Sequence, residues 1–318
     1  MYTERSFNLC TERGQLSFIV QLPLMSSRRM TTTRELLRRR SNTLTLVPID
    51  DRPGKLFEGL EHCRSVIFRA RVGSVNGSRT VSASKYQRWP TAARDSLFAR
   101  LELAETTGET IYPQRFAKFA NQLQSSIFVK VKVNSDQTIG SALARNRSDR
   151  FVFHQEAMQY WVKAAIGLPH YVRDGEVGAP AHGRYLSFQN PEHTEVAYAL
   201  LNSSLFYCYF VAFGDCFHLS HELVSNFPVP SAVLDDDDLS TLGGWLMEDL
   251  NDNAGEETIR TRDGHTITYA EFYGWKSKRI IDDIDRALAE HYGFTDEELD
   301  FIINYDIKYR TGVEQSRL

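Results

Sequence analysis

The segment Gln15-Leu-Ser-Phe-Ile-Val-Gln-Leu-Pro-Leu24 decides the fold class. It follows the turn-forming pair Arg13-Gly14, and its nearly continuous apolar centre predicts a strand buried on both faces of a parallel sheet. A helix is predicted next, with Ser26 or Ser27 as its cap and a register that continues to Arg40. A strand followed at once by a helix is typical of an α/β fold.

Two more strands are predicted after this helix. They are Thr43-Leu-Thr-Leu-Val-Pro48 and Cys63-Arg-Ser-Val-Ile-Phe-Arg-Ala-Arg-Val72, and the pair Asn76-Gly77 predicts a tight turn behind them. Because the chain begins only a few residues before Gln15, we expect residues 1–75 to form an incomplete sheet. The Gln15–Leu24 strand would then be an edge with exposed apolar side chains.

Composition indicates an ordinary globular protein with reduced thiols. The 318 residues are 42% hydrophobic, 25% charged and 12% aromatic, and the four cysteines are widely scattered. Neither a signal sequence nor an apolar run of about 20 residues occurs, which predicts a cytoplasmic location. The length is sufficient for two domains, or for one large domain with an appendage.

The net charge of −4 conceals an asymmetry between the two halves of the chain. Residues 1–150 contain 25 Lys and Arg against 13 Asp and Glu, whereas residues 151–318 contain 12 against 28. A basic first half predicts a surface that faces a polyanion, and an acidic second half predicts a solvated one. Random variation of surface charge is the alternative, and charge alone does not specify DNA.

Two motifs resemble a known protein family. The stretch Ala199-Leu-Leu-Asn-Ser-Ser-Leu-Phe-Tyr207, followed by Asn226-Phe-Pro-Val-Pro230, resembles a signature in the target-recognition half of adenine-specific DNA methyltransferases. These are enzymes of restriction-modification (type II and IIG) and phage-defence systems. Residues 14–27, 56–68 and 281–310 resemble other segments of the same family. The resemblance implies a partial Rossmann-like methyltransferase sheet that closes with an antiparallel hairpin, then an α+β target-recognition domain and C-terminal helices.

The catalytic parts of that family are absent from the sequence. No Gly-rich cofactor loop occurs, and Asn190-Pro191 is followed by Glu192 and His193 rather than by a second proline and an aromatic residue. The complete enzyme flips adenine out of the duplex and takes a methyl group from S-adenosylmethionine. For this chain alone we expect no cofactor, no catalytic residue and no methylation of DNA.

The resemblance implies three segments. Residues 1–80 would be the end of the methyltransferase domain, residues 81–230 the target-recognition domain, and residues 231–318 a C-terminal helical segment. Within them, Ile127–Val133 alternates as a strand does, and Ala157–Ile166 and Ala197–Phe213 are predicted to be helices. Further helices are predicted at Leu239–Leu250, with Leu242, Trp245 and Leu246 on one side, and at Ser277–His291, followed by a capping box at Thr295–Glu298.

The candidate DNA-binding residues are basic, aromatic or small polar side chains. Arginines 28, 29, 34 and 38–40 crowd one helix and its entry, where they would neutralise phosphates or simply form its solvated face. Two lysines share one face of the predicted strand, aromatic residues lie beside a basic loop, and small polar residues interrupt an apolar helix. The candidates are Arg38, Arg39, Arg40, Lys130, Lys132, Tyr160, Trp161, Lys163, Asn202 and Ser203.

No metal site or catalytic triad is predicted. Cys208, Asp215, Cys216, His218 and His221 match no common zinc spacing, and His154, His182 and His193 are expected in loops or at the surface. The expected partner is double-stranded DNA, and a second chain could supply the catalytic half. A gene remnant, a wrongly assigned start and a free-standing DNA-binding protein are alternatives. A rival class is a protein-interaction or specificity subunit of a restriction or phage-defence complex.

Overall fold

The structure is a computed structural model that describes residues 2–59, 63–73, 79–99, 101–106, 111–158 and 160–311. The predicted turn at Asn76-Gly77 lies outside these residues. The chain divides into two compact units, which are described separately. Unit 1 comprises Met1–Val129 and Val211–Asp215, and unit 2 comprises Lys130–Phe210 and Cys216–Leu318. The predicted functional division at residues 80 and 230 stays a prediction.

Unit 1 is built on a mixed five-stranded sheet, which confirms the α/β class. Its strands have the spatial order β1-β3-β2-β4-β5. They are β1 (Gln15–Gln21), β2 (Ser41–Ile49), β3 (Ser65–Val72), β4 (Thr80–Ala83) and β5 (Ala104–Glu105). Helices α1 (Tyr2–Leu9), α2 (Pro23–Ser26) and α3 (Thr31–Arg40) and 3-10 helices at Arg28–Met30 and Thr91–Ser96 accompany it.

The predicted antiparallel hairpin of β2 and β3 is present, but the prediction that Gln15–Leu24 is buried on both faces of a parallel sheet is wrong, because β1 pairs antiparallel and one of its faces is exposed. Strand β3 lies between β1 and β2 and is antiparallel to both. The hairpin of β2 and β3 does not end the sheet, however, because β4 pairs with β2 in parallel. Strand β1 does lie at one end, and Ile19 on it is 48% exposed. Both observations agree with the expected edge strand.

One face of this sheet is apolar and buried. Leu44 and Leu46 of β2 and Phe68 and Ala70 of β3 are at most 1% exposed. Leu37 of α3 is fully buried as well. Burying a leucine or phenylalanine side chain contributes about 1.5–3 kcal/mol, so this face is a main source of the stability of unit 1.

Within the part of the chain that the structure describes, the opposite face is covered at the end where β2 terminates. There Val47, Ile49, Trp89 and Leu97 form a buried cluster, against which Ile67 of β3 packs. The remaining part of this face, which we call the open half, consists of two cross-strand rows. One row is Gln15, Arg71, Thr43 and Thr80, and the other is Ser17, Arg69, Thr45 and Ser82. Both arginines are exposed.

The predicted helix after β1 is present but begins later than expected. Ser27 precedes a short 3-10 turn, and α3 begins at Thr31 without a side-chain cap. Helix α4 (Gln122–Val133) follows β5 in the chain. The boundary between the units falls within α4, after Val129.

Unit 2 contains three small sheets and most of the helices. The sheets have the orders β10-β9-β14-β13, β11-β7-β8 and β12-β6. The strands are β6 (Gln137–Thr138), β7 (Val152–Gln155), β8 (Ala164–Ile166), β9 (Tyr171–Arg173), β10 (Glu176–Val177), β11 (Gly183–Leu186), β12 (Pro228–Val229), β13 (Gly255–Arg260) and β14 (Thr266–Glu271). The helices are α5 (Ile139–Ala142), α6 (His193–Asn202), α7 (Ser204–Phe213), α8 (His221–Ser225), α9 (Ser231–Leu234), α10 (Asp237–Asp252), α11 (Lys278–Tyr292), α12 (Asp296–Ile303) and α13 (Ile307–Arg310).

Three predicted elements differ from the structure. Ile127–Val133 is part of helix α4 and not a strand. The stretch predicted as a helix at Ala157–Ile166 contains strand β8 and an isolated bridge from Ala157 to His218. The long helix predicted at Ala197–Phe213 is broken at Ser203 into α6 and α7.

The predicted C-terminal helices and capping box are present, but residues 231–318 are not purely helical, because strands β13 and β14 lie between α10 and α11. Helix α10 begins after Asp236, whose carboxylate accepts a hydrogen bond from the Leu239 amide at 2.7 Å. Trp245, however, is 57% exposed, so it does not share the buried side with Leu246. Helix α11 ends at Gly293, which has a left-handed φ of 64°, and Thr295 and Glu298 form the predicted capping box.

Candidate nucleic-acid interface

The arginine-rich helix α3 is only partly available to a ligand. Arg34 is 1% exposed and donates hydrogen bonds to the carbonyl oxygens of Gln114, Leu24 and Ser27 at 2.5, 3.1 and 2.8 Å. Burial, aided by nearby Arg115, lowers the pKa of Arg34 to about 10. Arg34 therefore joins α3 to neighbouring segments of unit 1 and is not a phosphate contact.

The three arginines that end α3 differ from one another. Arg38 donates to the Arg115 carbonyl at 2.8 Å and lies over the Phe116 ring, and burial lowers its pKa. Arg40 bonds to the side chain of Asn8 at 3.3 Å. Arg39 is exposed. Arg39 is therefore the member of this predicted group best placed to meet a phosphate.

Lys130 and Lys132 do not share a face. Because they lie on a helix, side chains two residues apart point in different directions. Lys130 donates to a Glu298 carboxylate oxygen at 2.6 Å and to the Gly293 carbonyl at 2.9 Å, so it supports the start of α12. Lys132 is exposed.

The aromatic candidates pack against the C-terminal helix of unit 2. The Trp161 indole donates to the Arg310 carbonyl at 3.0 Å, and the Arg310 guanidinium lies 4.1 Å from the Trp161 ring centre. Tyr160 stacks on Tyr309, with ring centres 6.1 Å apart. Lys163 is exposed. In this conformation the two aromatic rings support the fold, and Lys163 remains a candidate for contact with DNA.

Asn202 and Ser203 are structural residues at the break between α6 and α7. Asn202 is 7% exposed and donates to the Tyr198 carbonyl at 3.0 Å. The Ser203 hydroxyl is fully buried and accepts a hydrogen bond from the Phe206 amide at 3.0 Å. Both side chains are buried, so neither can contact DNA directly. Their polar atoms form hydrogen bonds with backbone groups at the break between the two helices.

The sequence analysis missed the acid that completes this break. Asp285 of α11 accepts hydrogen bonds from the amides of Ser204 at 3.1 Å and Leu205 at 3.0 Å, at the positive end of α7. Burial raises the pKa of Asp285 to about 6, although Ser204, Leu205 and buried Arg310 oppose this effect. The only sequence signal was an acid next to Ile284 within an otherwise apolar helical stripe.

A second buried cluster, also missed, lies where β2 ends. Arg64 and Arg88 contact opposite oxygens of Asp50 at 3.3 and 3.1 Å, and Arg64 lies 3.5 Å from Asp51. Burial raises the pKa of Asp50, and the two arginines counteract the rise. The sequence signal for this cluster was the pair of acids, Asp50 and Asp51, directly after an apolar strand. Ligands of open α/β sheets bind at this carboxyl edge of the strands, and Arg52 is exposed there.

The charge asymmetry is also present between the two units. Unit 1 contains 20 Lys and Arg against 12 Asp and Glu, a net charge of +8. Unit 2 contains 17 against 29, a net charge of −12. A polyanion is therefore attracted to unit 1 and repelled by unit 2.

An open groove of about 340 Å³ in unit 2 is acidic. Asp238 and Glu290 line it together with exposed Trp245, and Asp236 there bonds to His291 at 2.6 Å. Hydrogen bonds from Leu239 and His291 lower the pKa of Asp236, although its partial burial opposes this effect. Such a lining favours a cationic ligand over DNA.

The described ranges contain neither a metal cluster nor a single helix suited to span a membrane. No group of three or more His, Cys, Asp or Glu residues there could hold a metal ion. No single described helix is long and apolar enough to cross a bilayer. Helices α6 and α7 reach the required length and composition only as a pair bent by 62°.

Comparisons with known proteins show weak structural similarity and no sequence relationship. No protein-family model and no curated protein matches the chain. A nuclease-deletion mutant of the Type ISP restriction-modification enzyme LlaGI, in complex with a DNA substrate mimic, is 10% identical with a TM-score of 0.39 over 84% of this chain. The type IIG restriction endonuclease BpuSI is 10% identical (TM-score 0.32, 95% of this chain), and a DrdV–DNA complex is 9% identical (TM-score 0.34, 99%). The chain spans 34%, 48% and 49% of those three chains.

Proposed function

We propose that this chain is the DNA-binding, target-recognition part of a site-specific adenine DNA methyltransferase of a restriction-modification or phage-defence system. The observation that carries the proposal is the sheet of unit 1. Its β2–β3 pair is antiparallel, as expected for the hairpin that the sequence resemblance implies, although β4 extends the sheet beyond β2. The net charge of +8 on the same unit supports DNA as its partner.

In this proposal the chain binds DNA and does not itself transfer a methyl group. The catalytic tetrad and the glycine loop would come from sequence outside these 318 residues, in the same polypeptide or in a second chain. S-adenosylmethionine would bind there, and the complex would act in the cytoplasm. The unpaired edge of β1, with its exposed Ile19, is the place where the sheet could continue.

Selection from a pool of randomised duplexes tests the target-recognition function. The purified chain is bound to the pool, bound duplexes are recovered and amplified, and the enriched sequences are compared with those of a mock selection. We expect enrichment of one short site, because base-edge contacts supply specificity beyond the phosphate contacts. Binding without enrichment would reduce the proposal to non-specific DNA binding. Failure to retain any duplex would contradict it.

A protein-interaction subunit is the second candidate function. The acidic groove beside exposed Trp245 favours it, because carboxylates and an indole together suit a lysine- or arginine-rich segment of a partner. The selection distinguishes the two candidates. A chain of this second class retains no duplex at any salt concentration.

A further inference from the structure

The open half of the sheet in unit 1 is a polar surface with two positive charges at its centre. Arg69 and Arg71 lie two residues apart on β3, which places their Cα atoms about 7 Å apart on the same face. Thr43 and Thr45 of β2 are their direct cross-strand neighbours. Guanidinium groups and hydroxyls are the side-chain donors that most often hold phosphate oxygens.

Among the described residues, no acid pairs with Arg69 or Arg71. Arg69 donates to the neutral Gln15 side chain at 3.0 Å. The acid in the same rows is Glu105, which lies at the outer strand beyond Ser82. A ligand on this surface therefore meets a positive centre.

The composition of the open half also argues against an apolar covering element. Antiparallel strand pairs predominate in this sheet, and antiparallel sheets commonly keep one polar face toward solvent, whereas covered faces are rich in apolar side chains. Here the apolar positions Val47, Ile49 and Ile67 are already covered by the Trp89 cluster. Across β1, β3, β2 and β4 the two rows contain Gln, Arg, Thr and Ser, and Glu105 of β5 follows beyond Ser82. A ligand that complements these rows is therefore polar and anionic.

We infer that the open half of the sheet is a phosphate-binding surface on which the backbone of duplex DNA lies, with Arg69 and Arg71 as its principal contacts. This inference rests on the proposed DNA-binding function and adds the surface that holds the duplex. Neither arginine was a candidate in the sequence analysis, where Arg69 and Arg71 were part of a predicted strand only.

The test compares two charge-matched double variants of the full chain. Arg69→Gln with Arg71→Gln removes the proposed contacts, and Arg279→Gln with Arg286→Gln removes two exposed arginines from α11 of unit 2. Fluorescence anisotropy with a labelled duplex is recorded over a series of salt concentrations. For the first variant we expect about tenfold or greater loss of affinity and a salt dependence less steep by about two, and for the second variant no change.

A third variant, Arg69→Lys with Arg71→Lys, keeps the charges and should retain the steep salt dependence. If the wild type binds DNA and the Gln variant binds equally well, the inference is wrong and the proposed function stands. If the Gln variant loses both affinity and thermal stability and the Lys variant does not restore them, the arginines are structural and the inference is again wrong. If the wild type binds no duplex, the proposed function fails as well.

Discussion

The buried acid Asp285 explains how the polar triplet Asn202-Ser203-Ser204 is accommodated in an apolar segment. Its carboxylate accepts two amide hydrogen bonds at the start of α7, 3.1 and 3.0 Å long, while being only 2% exposed. Asp285→Ala removes the acceptor of both amide hydrogen bonds and one of the acids, with Asp306, that act electrostatically on buried Arg310. We expect a loss of about 3–5 kcal/mol in the free energy of unfolding, measured by urea denaturation.

Asp285→Asn is the matched control for this prediction. Its side-chain oxygen still accepts one of the two amide hydrogen bonds, and it lacks the charge whose burial raises the pKa of Asp285 to about 6. We expect it to lose clearly less stability than the alanine variant. Equal losses would show that the amide hydrogen bonds contribute little at this position.

His154 gives a pH prediction. The sequence analysis expected this histidine in a loop or at the surface, but it lies fully buried in β7, and burial lowers its pKa from 6.5 to about 4. Its Nδ1 faces the Gln155 carbonyl at 3.3 Å, and His221, Glu156 and Arg184 act on it electrostatically. The folded state therefore keeps His154 neutral.

The sign of the effect follows from proton binding. As the pH falls below 6.5, the unfolded chain takes up a proton at His154 that the folded chain does not, so stability falls until the pH reaches about 4. The total contribution is at most about 3 kcal/mol.

We expect the difference in stability between wild type and His154→Asn to shrink over this range, because the variant lacks the proton uptake. The raised pKa of Asp285 acts in the opposite direction, but both proteins contain Asp285 and its effect cancels. A difference that is constant with pH would contradict the prediction.

The exposure of individual arginine side chains was the property of the interface hardest to predict from the sequence. Arg34, Arg38 and Arg39 look alike in the sequence, yet Arg34 is buried, Arg38 is half-buried and Arg39 is exposed. Which arginine faces solvent depends on carbonyl groups far along the chain, such as those of Gln114 and Arg115. Local periodicity contains no information about such long-range partners.

At the level of elements, a close approach of α10 and α6 gives a matched pair of variants. A Cβ atom on Gly243 would lie 2.5 Å from the Glu195 carbonyl oxygen, whereas a Cβ atom on Gly244 would meet nothing within 4 Å. We expect Gly243→Ala to destabilise unit 2 by about 1–3 kcal/mol, because the backbone of α6 must move. Gly244→Ala should stabilise it by up to about 1 kcal/mol through helix propensity. Thermal unfolding measures both, and the same sign for the two variants would contradict the packing described here.

Elements with strong local signals were predictable, and those decided by burial were not. The capping box at Thr295 and the glycine stop at Gly293 are encoded locally, so the ends of α11 and α12 followed from the sequence. In α4 the alternation of valines and lysines favours a strand, yet the buried positions are Ile127, Phe128 and Val131, which lie at helical spacing. The helix forms because burial of these three side chains outweighs the β propensity of the valines, and Val133 is left 72% exposed.

For the whole molecule, the sequence shows that one half is basic and the other acidic. It does not show which surface carries the positive charges. The halves of the chain already differed in sign, and the units differ by +8 against −12. Strand pairing was needed to bring Arg69 and Arg71 together with Thr43 and Thr45 on one open face. The α/β class and the positions of the first three strands were predicted correctly. The parallel, doubly buried setting of β1 and the absence of β4 and β5 from the prediction were errors, because strand direction and sheet extent depend on pairing partners far along the chain.

Binding of duplex DNA by unit 1 can be tested through the salt dependence of binding by the unmodified chain. If unit 1 neutralises DNA phosphates, the logarithm of the association constant falls linearly with the logarithm of salt concentration. Two neutralised phosphates already give about a tenfold loss between 50 and 200 mM salt. We expect at least this loss of affinity in an anisotropy titration over the same range of salt concentration. Binding that does not change with salt, or no binding at the lowest salt concentration, would contradict it.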